Sequence, residues 1–388
     1  MKKTILYFTV LIVFCSFTST GHAFEAGDVD IHGFISQGFL KSDKYNYLAN
    51  DSEKGSFQFN EIGINFGKQV TDKLRIGVQF FARDLGDAAN NKITLDWAYG
   101  DYRLTDRFGI RAGKIKVPFG LYNETRDMDM LRACIILPQS VYPDLIRDSI
   151  IALNGAGVYG AIQMQKAGSL EYQAMTGVMN IDKDSGFGKF IQSFSGGLIT
   201  LNDDFNTDAG YAGSLRWNTP LTGLALKVSA LKTSFDVPAT IATVQMDALA
   251  TIYSLEYVWK DLTLSAEYYV NDTDTSVFGM TTSAKAENYY LMGSYRFSKW
   301  LEVGAYYSVA YPDKDDKDGE RYTAWGLPDH LAWQKDGAVF ARFDINDHFL
   351  IKLEGHYVDG TADVLAVDNL NRAEKNWYYF AAKATFSF

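Results

Sequence analysis

Charged residues of both signs are concentrated between positions 114 and 147. The group comprises Lys114, Lys116, Glu124, Arg126, Asp127, Asp129, Arg132 and Arg147. Fixed charges of both signs can pair with one another and brace a segment, or they can line a narrow aqueous passage and select ions by charge. A second, basic set would face this group if the fold brought the two together: Arg75, Arg83, Arg111 and Arg342.

Histidine is the residue type that most often serves in acid–base catalysis. Four histidines follow residue 23: His32, His330, His348 and His356. Asp329 precedes His330, but neighbouring residues on a strand point to opposite faces, so the two make a poor acid–base pair. No nucleophile motif stands near any of the four. We therefore predict no catalytic residue, and a hydrolase is a minor alternative.

An acidic segment invites a calcium interpretation. It contains Asp313, Asp315, Asp316, Asp318 and Glu320. The spacing departs from an EF-hand loop, because Lys317 and Asp318 occupy positions where that loop needs a ligand and a glycine. We expect a solvated loop and predict neither a metal site nor a cofactor.

Alternating hydrophobicity defines the elements that would position these groups. Near the C-terminus, Tyr378, Phe380, Phe386 and Phe388 fall on one face, whereas Lys383 falls on the other. Period two indicates a strand with one apolar face. Sixteen candidate strands follow from this pattern: 28–40, 56–67, 74–84, 92–104, 108–117, 150–165, 169–181, 209–217, 224–234, 250–259, 261–271, 285–297, 300–311, 331–345, 348–359 and 375–388. Most reach the roughly 9–11 residues that a tilted strand needs to cross a bilayer.

The joints between these strands alternate between short and long. The short ones have two to six residues, such as Lys260–Asp261. The long ones are 41–55, 85–91, 118–149, 182–208, 235–249, 272–284, 312–330 and 360–374. This asymmetry is typical of barrels with short turns on one side of a membrane and long loops on the other.

The first 23 residues have the form of a secretory signal. Lys2 and Lys3 precede an apolar run over 5–17, and Gly21 to Ala23 offer small residues for cleavage. The remaining residues, 24–388, would form the barrel domain. Their sole cysteine is Cys134, so an intramolecular disulfide is excluded. A net charge of −10 over the whole chain argues against nucleic-acid binding, which depends on basic residues.

Composition agrees with a closed sheet in lipid. Aromatic residues make up 15% of the chain, prolines number seven, and residues 24–388 contain no long apolar run. In hydrocarbon, every backbone polar group needs an internal partner, so the choice lies between helices and closed barrels. We predict an all-β, transmembrane, antiparallel barrel of about sixteen strands, wide enough for an aqueous lumen. The partly apolar joint 118–149 would fold inward as a constriction loop.

The pattern resembles the Gram-negative outer-membrane porins over the whole chain. Phe388, which ends an alternating strand, resembles the C-terminal signal that the barrel-assembly machinery recognises. The segment from Arg111 to Tyr122 (RAGKIKVPFGLY) resembles the strand that enters the constriction loop in the wider superfamily that includes the phosphate-selective porins.

The resemblance implies a function and partners. It implies an outer-membrane channel for passive diffusion of small hydrophilic solutes and ions, with no enzymatic activity. It also implies a homotrimer in contact with outer-membrane lipid and lipopolysaccharide. The alternatives are a substrate-specific anion channel of the phosphate type and, less favoured, a hydrolase or a barrel that displays its loops as an adhesin. The mixed charges differ from the dense basic ladders of phosphate-selective porins and favour the general channel.

Overall fold

The computed structural model describes residues 29–86, 89–195, 199–240 and 242–388. The predicted signal peptide, residues 1–23, lies outside them. Sixteen antiparallel strands form a closed barrel in which β16 pairs with β1, which confirms the predicted fold. The strands are β1 Asp30–Ser42, β2 Asn60–Gln69, β3 Leu74–Asp84, β4 Thr94–Thr105, β5 Phe108–Lys116, β6 Ala152–Gln163, β7 Ser169–Val178, β8 Ala209–Asn218, β9 Leu224–Pro238, β10 Thr243–Trp259, β11 Leu262–Val277, β12 Met280–Ser298, β13 Leu301–Tyr311, β14 Gln334–Asn346, β15 Phe349–Gly360 and β16 Asn376–Ser387.

Each strand turns its apolar set outward. On β16, Tyr378 and Phe386 are each 56% exposed on the outer surface, whereas Lys383 and Thr385 are buried inside. The same alternation on β15 places Leu353 outside and Lys352 inside. Apolar side chains outside and polar ones inside are the arrangement expected of a barrel in lipid.

The last residue helps to close the seam between β16 and β1. The backbones of Phe388 and Gly33 exchange two hydrogen bonds of 3.0 Å each. The Phe388 ring covers Gly33 on the outer surface, where a β-carbon at position 33 would collide with it.

Two joints that were predicted to be long are short, so the predicted loops 235–249 and 272–284 are wrong. β9 extends to Pro238 and β10 begins at Thr243, while β11 and β12 leave only Phe278 and Gly279 between them. Both of these residues have positive φ, 52° and 78°, as in a type I′ hairpin turn. Backbone pairing continues here beyond the apolar alternation from which the strand ends were predicted.

Three short helices lie in the remaining joints: α1 Arg147–Ile150, α2 Gly186–Phe194 and α3 Glu320–Ala324. No helix in the described part of the chain is long and apolar enough to cross a bilayer. α2 turns Phe187 and Ile191 into the apolar interior beside Phe235 of β9.

Candidate functional site: the loop inside the barrel

The joint between β5 and β6, residues 117–151, runs inside the barrel, and we call it the inner loop. All residues from Cys134 to Tyr142 are buried. A 3₁₀ turn at Asp129–Leu131 and the single turn of α1 are its regular structure. Because the inner loop contains so little regular structure, its many side-chain contacts with the barrel wall hold it in place.

Apolar side chains of the inner loop reach two opposite parts of the wall. Ile135 and Ile136 pack in a buried cluster with Leu40, Trp377 and Tyr379. Neighbouring loop residues join a second cluster formed with strands β5 to β14; they are Cys134, Leu137, Val141 and Tyr142. The loop thus crosses the lumen from one side to the other.

Asp129 is the centre of the first charged cluster. Its carboxylate lies 3.0 Å from Lys352 Nζ, 3.3 Å from Lys383 Nζ and 3.6 Å from the Arg132 guanidinium. Thr385 donates a further hydrogen bond of 2.7 Å. Burial opposes ionisation, but the three cations outweigh it and hold the pKa of Asp129 far below its usual range.

A second cluster joins the inner loop to β3, β4 and β5. Lys116 of β5 pairs with Asp127 and lies 3.7 Å from Asp96 of β4. Arg147 forms a 2.8 Å pair with Asp96, and Gln79 donates to both carboxylates. Two buried acids thus share two buried bases, so neither sign is left uncompensated.

A third cluster holds the returning end of the inner loop. Arg83 of β3 lies 3.2 Å from Asp148 and 3.6 Å from Asp144, and Arg126 lies 3.0 Å from Asp144. Burial raises the pKa of Asp148, but Arg83 and Arg147 more than offset it, so that its pKa is about 2. This carboxylate is ionised at any physiological pH.

The Glu354 side chain of β15 anchors the buried tip of the inner loop by binding the loop's backbone. It accepts hydrogen bonds from the amides of Ile135 and Ile136. His356 lies behind it, with Nε2 2.9 Å from Glu354 and Nδ1 3.0 Å from Asp336. Because both ring nitrogens face carboxylates, the imidazole is held between two acceptors and does not lie beside a nucleophile.

Glu267 of β11 is the matching anchor on the other wall. It accepts hydrogen bonds from the Tyr142 and Tyr290 hydroxyls, from Ser254 and from the Leu121 amide. Gly120 precedes this amide with φ of +63°, and a β-carbon there would collide with the Tyr142 hydroxyl. Glycine is therefore required at position 120.

The structure brings most of the predicted constriction residues together, mainly in bracing pairs. Six of them are buried or nearly so in the three clusters: Lys116, Arg126, Asp127, Asp129, Arg132 and Arg147. The Glu124 side chain is 33% exposed and lies 3.9 Å from Lys227. Lys114 instead donates a hydrogen bond to the Leu95 carbonyl of β4.

The four predicted wall arginines divide in the same way. Arg83 and Arg342 reach the inner loop, Arg342 by a 2.6 Å hydrogen bond to the Met130 carbonyl. Arg111 instead pairs with Asp101 at 2.8 Å, and Arg75 is exposed.

The predicted site lacked Glu267, Asp336, Lys352 and Lys383. Their signal in the sequence is a polar residue on the inward face of an alternating strand. The described residues contain no group of three or more His, Cys, Asp or Glu side chains arranged to hold a metal ion.

Known proteins are similar to this chain in structure and not detectably in sequence. No protein-family model and no curated protein matches it. The outer-membrane channel DcaP of Acinetobacter baumannii aligns with a TM-score of 0.58 at 11% identity, over 95% of this chain and 100% of that one. An anion-selective porin from Comamonas acidovorans aligns at 0.56 and 10%, over 93% and 99%.

A third similar structure is OmpT, an outer membrane protein of Vibrio cholerae, in a trimer form. It aligns with a TM-score of 0.54 at 12% identity, over 93% of this chain and 99% of that one. The likeness covers nearly the whole length of each of these proteins. The chain has the sixteen-stranded barrel fold of the Gram-negative outer-membrane porins.

Proposed function

We propose that this chain is an outer-membrane porin that allows passive diffusion of small hydrophilic solutes and ions. The observation that carries the proposal is a loop held by ion pairs inside a sixteen-stranded barrel. A wall of this strand number encloses far more space than its own side chains fill. The inner loop, the proposed constriction, occupies that space by side-chain contacts, and this is the expected design of a selective pore.

Charged side chains below the inner loop support a hydrated lumen. Near the short turns, ion pairs on the inward face keep partial contact with solvent: Arg111–Asp101, Arg216–Glu256 and Arg296–Glu302. In the last pair the arginine is 34% exposed and the glutamate 14%. Mixed charges of this kind line an aqueous vestibule better than an apolar core.

An anion-specific channel is the second candidate. The Asp129 cluster contains three basic side chains, Arg132, Lys352 and Lys383, against the acids Asp129 and Glu61. The similar protein from Comamonas acidovorans is described as anion-selective. The sign of ion preference separates this candidate from a general channel.

Membrane placement and assembly follow from the same proposal. The long loops face the cell exterior, and the outward apolar face contacts lipid and lipopolysaccharide. Residues 1–23 direct export, and the terminal Phe388 is read by the barrel-assembly machinery. A homotrimer is proposed by analogy with the trimer form of the Vibrio cholerae protein.

Planar-bilayer recording of the purified, folded protein tests the function. We expect discrete conductance steps, and a salt gradient gives the ion preference from the sign of the reversal potential. Asp129→Asn is recorded in parallel, because it leaves Lys352 and Lys383 without their shared partner and loosens the inner loop. If neither protein conducts although both remain heat-modifiable, the porin proposal is wrong.

A further inference from the structure

We infer that the structure is the closed form of the channel, and that residues 128–142 of the inner loop are a gate that moves when solutes pass. This inference rests on the proposed function, because a gate has meaning only in a conducting barrel. It goes beyond a fixed constriction, in which the loop narrows the lumen but never blocks it.

The first observation is that side chains fill the lumen beside the inner loop, around the whole circumference of the wall. On each strand but β2, an inward-facing residue in this layer is at most 8% exposed: Leu40, Gln79, Asp96, Ile115, Leu153, Met175, Ala212, Ser229, Ile252, Glu267, Tyr290, Tyr306, Phe340, Glu354 and Ala381. On β2, the Glu61 side chain is 13% exposed. An open pore would leave a sector of these side chains in water.

Residues on both sides of this layer show where the water ends. On the side of the long loops, Phe187 of α2 and Phe235 of β9 continue the apolar packing. On the opposite side, Leu131 of the inner loop is 58% exposed and the ion pairs of the vestibule keep solvent contact. Beside the inner loop, Glu61, Arg132 and Asp144 line a cavity with room for about one water molecule, which is too small for a continuous hydrated path.

The second observation is that the inner loop, unlike the wall, is free of backbone ladders. Each wall strand is bonded to two neighbours along its length, whereas residues 128–142 reach the wall through side chains. Ser140 is held by Ser308 of β13 at 2.7 Å, and Asp129 by Lys352 of β15. Such contacts can break in a group without opening any strand pair, so this segment is the part of the barrel that can clear the lumen.

A reversible disulfide between the gate and the wall tests the inference. The Oγ atoms of Ser140 and Ser308 are 2.7 Å apart, so S140C and S308C would place two sulfur atoms within bonding reach. The pair is made in a Cys134→Ala background, because Cys134 is the only other cysteine of residues 24–388. The bond would tie residues 128–142 to β13 without removing an ion pair.

We expect the oxidised double variant to lose at least about nine-tenths of the conductance and to regain it when the disulfide is reduced. S308C alone, in the same background, should conduct in both redox states. If the locked protein conducts as well as the reduced one, the gate is excluded while the porin function stands. If no form conducts, including Asp129→Asn, both proposals fall.

A second variant covers the case in which the cysteine pair does not fold. Asp129→Asn should increase the fraction of time that the channel is open, since Lys352, Lys383 and Arg132 then lose the counter-charge that they share. Asp272→Asn is the matched control, because it makes the same change in an exposed pair with Lys285 on a hairpin away from the loop. Equal open fractions for the two variants would overturn the gate.

Discussion

Cys134 reports on the packing of the inner loop at the scale of a single residue. It is fully buried, and burial raises the pKa of its thiol to about 12. Since the thiolate is the reactive species and Cys134 is reached only while the gate is open, we expect a maleimide to label the folded protein far more slowly than the unfolded protein at neutral pH. Mass spectrometry after a timed exposure measures this. Urea-unfolded protein gives the complete-labelling control, and equally fast labelling of the folded protein would mean that the loop is not held in its buried position.

Asp363 makes the stability of the outer loop 361–375 depend on pH. Desolvation and the nearby Asp336 carboxylate raise the pKa of Asp363 from 3.8 to about 7. Between these two values the folded chain holds a proton that the unfolded chain has released. The free energy of unfolding therefore falls as pH rises through this window.

Asp363→Asn tests this assignment, because an amide has no proton to lose. Urea midpoints in detergent between pH 4 and pH 8 should decline less steeply for the variant than for the wild-type chain. Parallel declines would show that other groups carry the dependence.

The charges of the site were predictable from the sequence, but their partners were not. Asp127, Asp129 and Arg132 stand out because a partly apolar joint seldom holds so many charges. The partner of Asp129 is Lys352, 223 positions further along the chain. Such a pair exists only after the barrel has closed, so no local pattern could reveal it.

At the scale of elements, Glu354 links β15 to the buried tip of the inner loop. Glu354→Ala would leave the amides of Ile135 and Ile136 without acceptors and His356 with one carboxylate fewer. We expect a loss of about 1–3 kcal/mol for each buried group left unpaired, limited to the loop. Hydrogen exchange at residues 133–137 should accelerate while the strand amides of β15 stay protected.

A matched substitution separates this effect from a general loss of stability. Glu287→Ala also removes a glutamate from a barrel strand, but Glu287 lies beside Lys317 and away from the inner loop. Exchange at residues 133–137 should not change in that variant. If it changes equally, Glu354 has no special part in holding the loop.

Strands were the elements that could be read most directly, because period two persists wherever one face meets lipid. The ends of β9 to β12 at the hairpin turns were missed because the apolar alternation does not extend to them. There Thr273, Asp274, Thr275 and Ser276 have no apolar alternation, and backbone pairing with both β10 and β12 keeps them in the sheet. The inner loop was expected from its length and its apolar residues, yet its path depends on contacts with distant strands.

At the scale of the whole molecule, Phe388 contributes to closure of the barrel. Its backbone exchanges two hydrogen bonds with Gly33, and its ring covers the outer surface of β1. Deleting Phe388 should reduce the yield of folded, heat-modifiable protein in the outer membrane, because the last rung of the seam and the proposed assembly signal are lost together. Phe297→Ala, another exposed outward aromatic, should have a smaller effect. Similar yields from both variants would remove any special role for the C-terminus.

The closed barrel was predictable because it follows from strand number, strand length and the alternation of joints, which are all local quantities. The extent to which side chains fill the interior of the barrel was not predictable. Residues such as Met175, Ile252 and Tyr290 place apolar side chains on the inward face, but the sequence does not show that they meet the inner loop.

The hairpins of β9 to β12 make one side of the barrel taller than the other. β12 has 19 residues, whereas a tilted strand crosses the bilayer in roughly 9–11. The remainder would raise its tip roughly 20 Å above the lipid surface. In the proposed orientation Phe278 and Met280, each 71% exposed, would stand at the summit of this wall. In that orientation, an antibody or a bacteriophage approaching the cell would reach that crest before it reached the pore mouth.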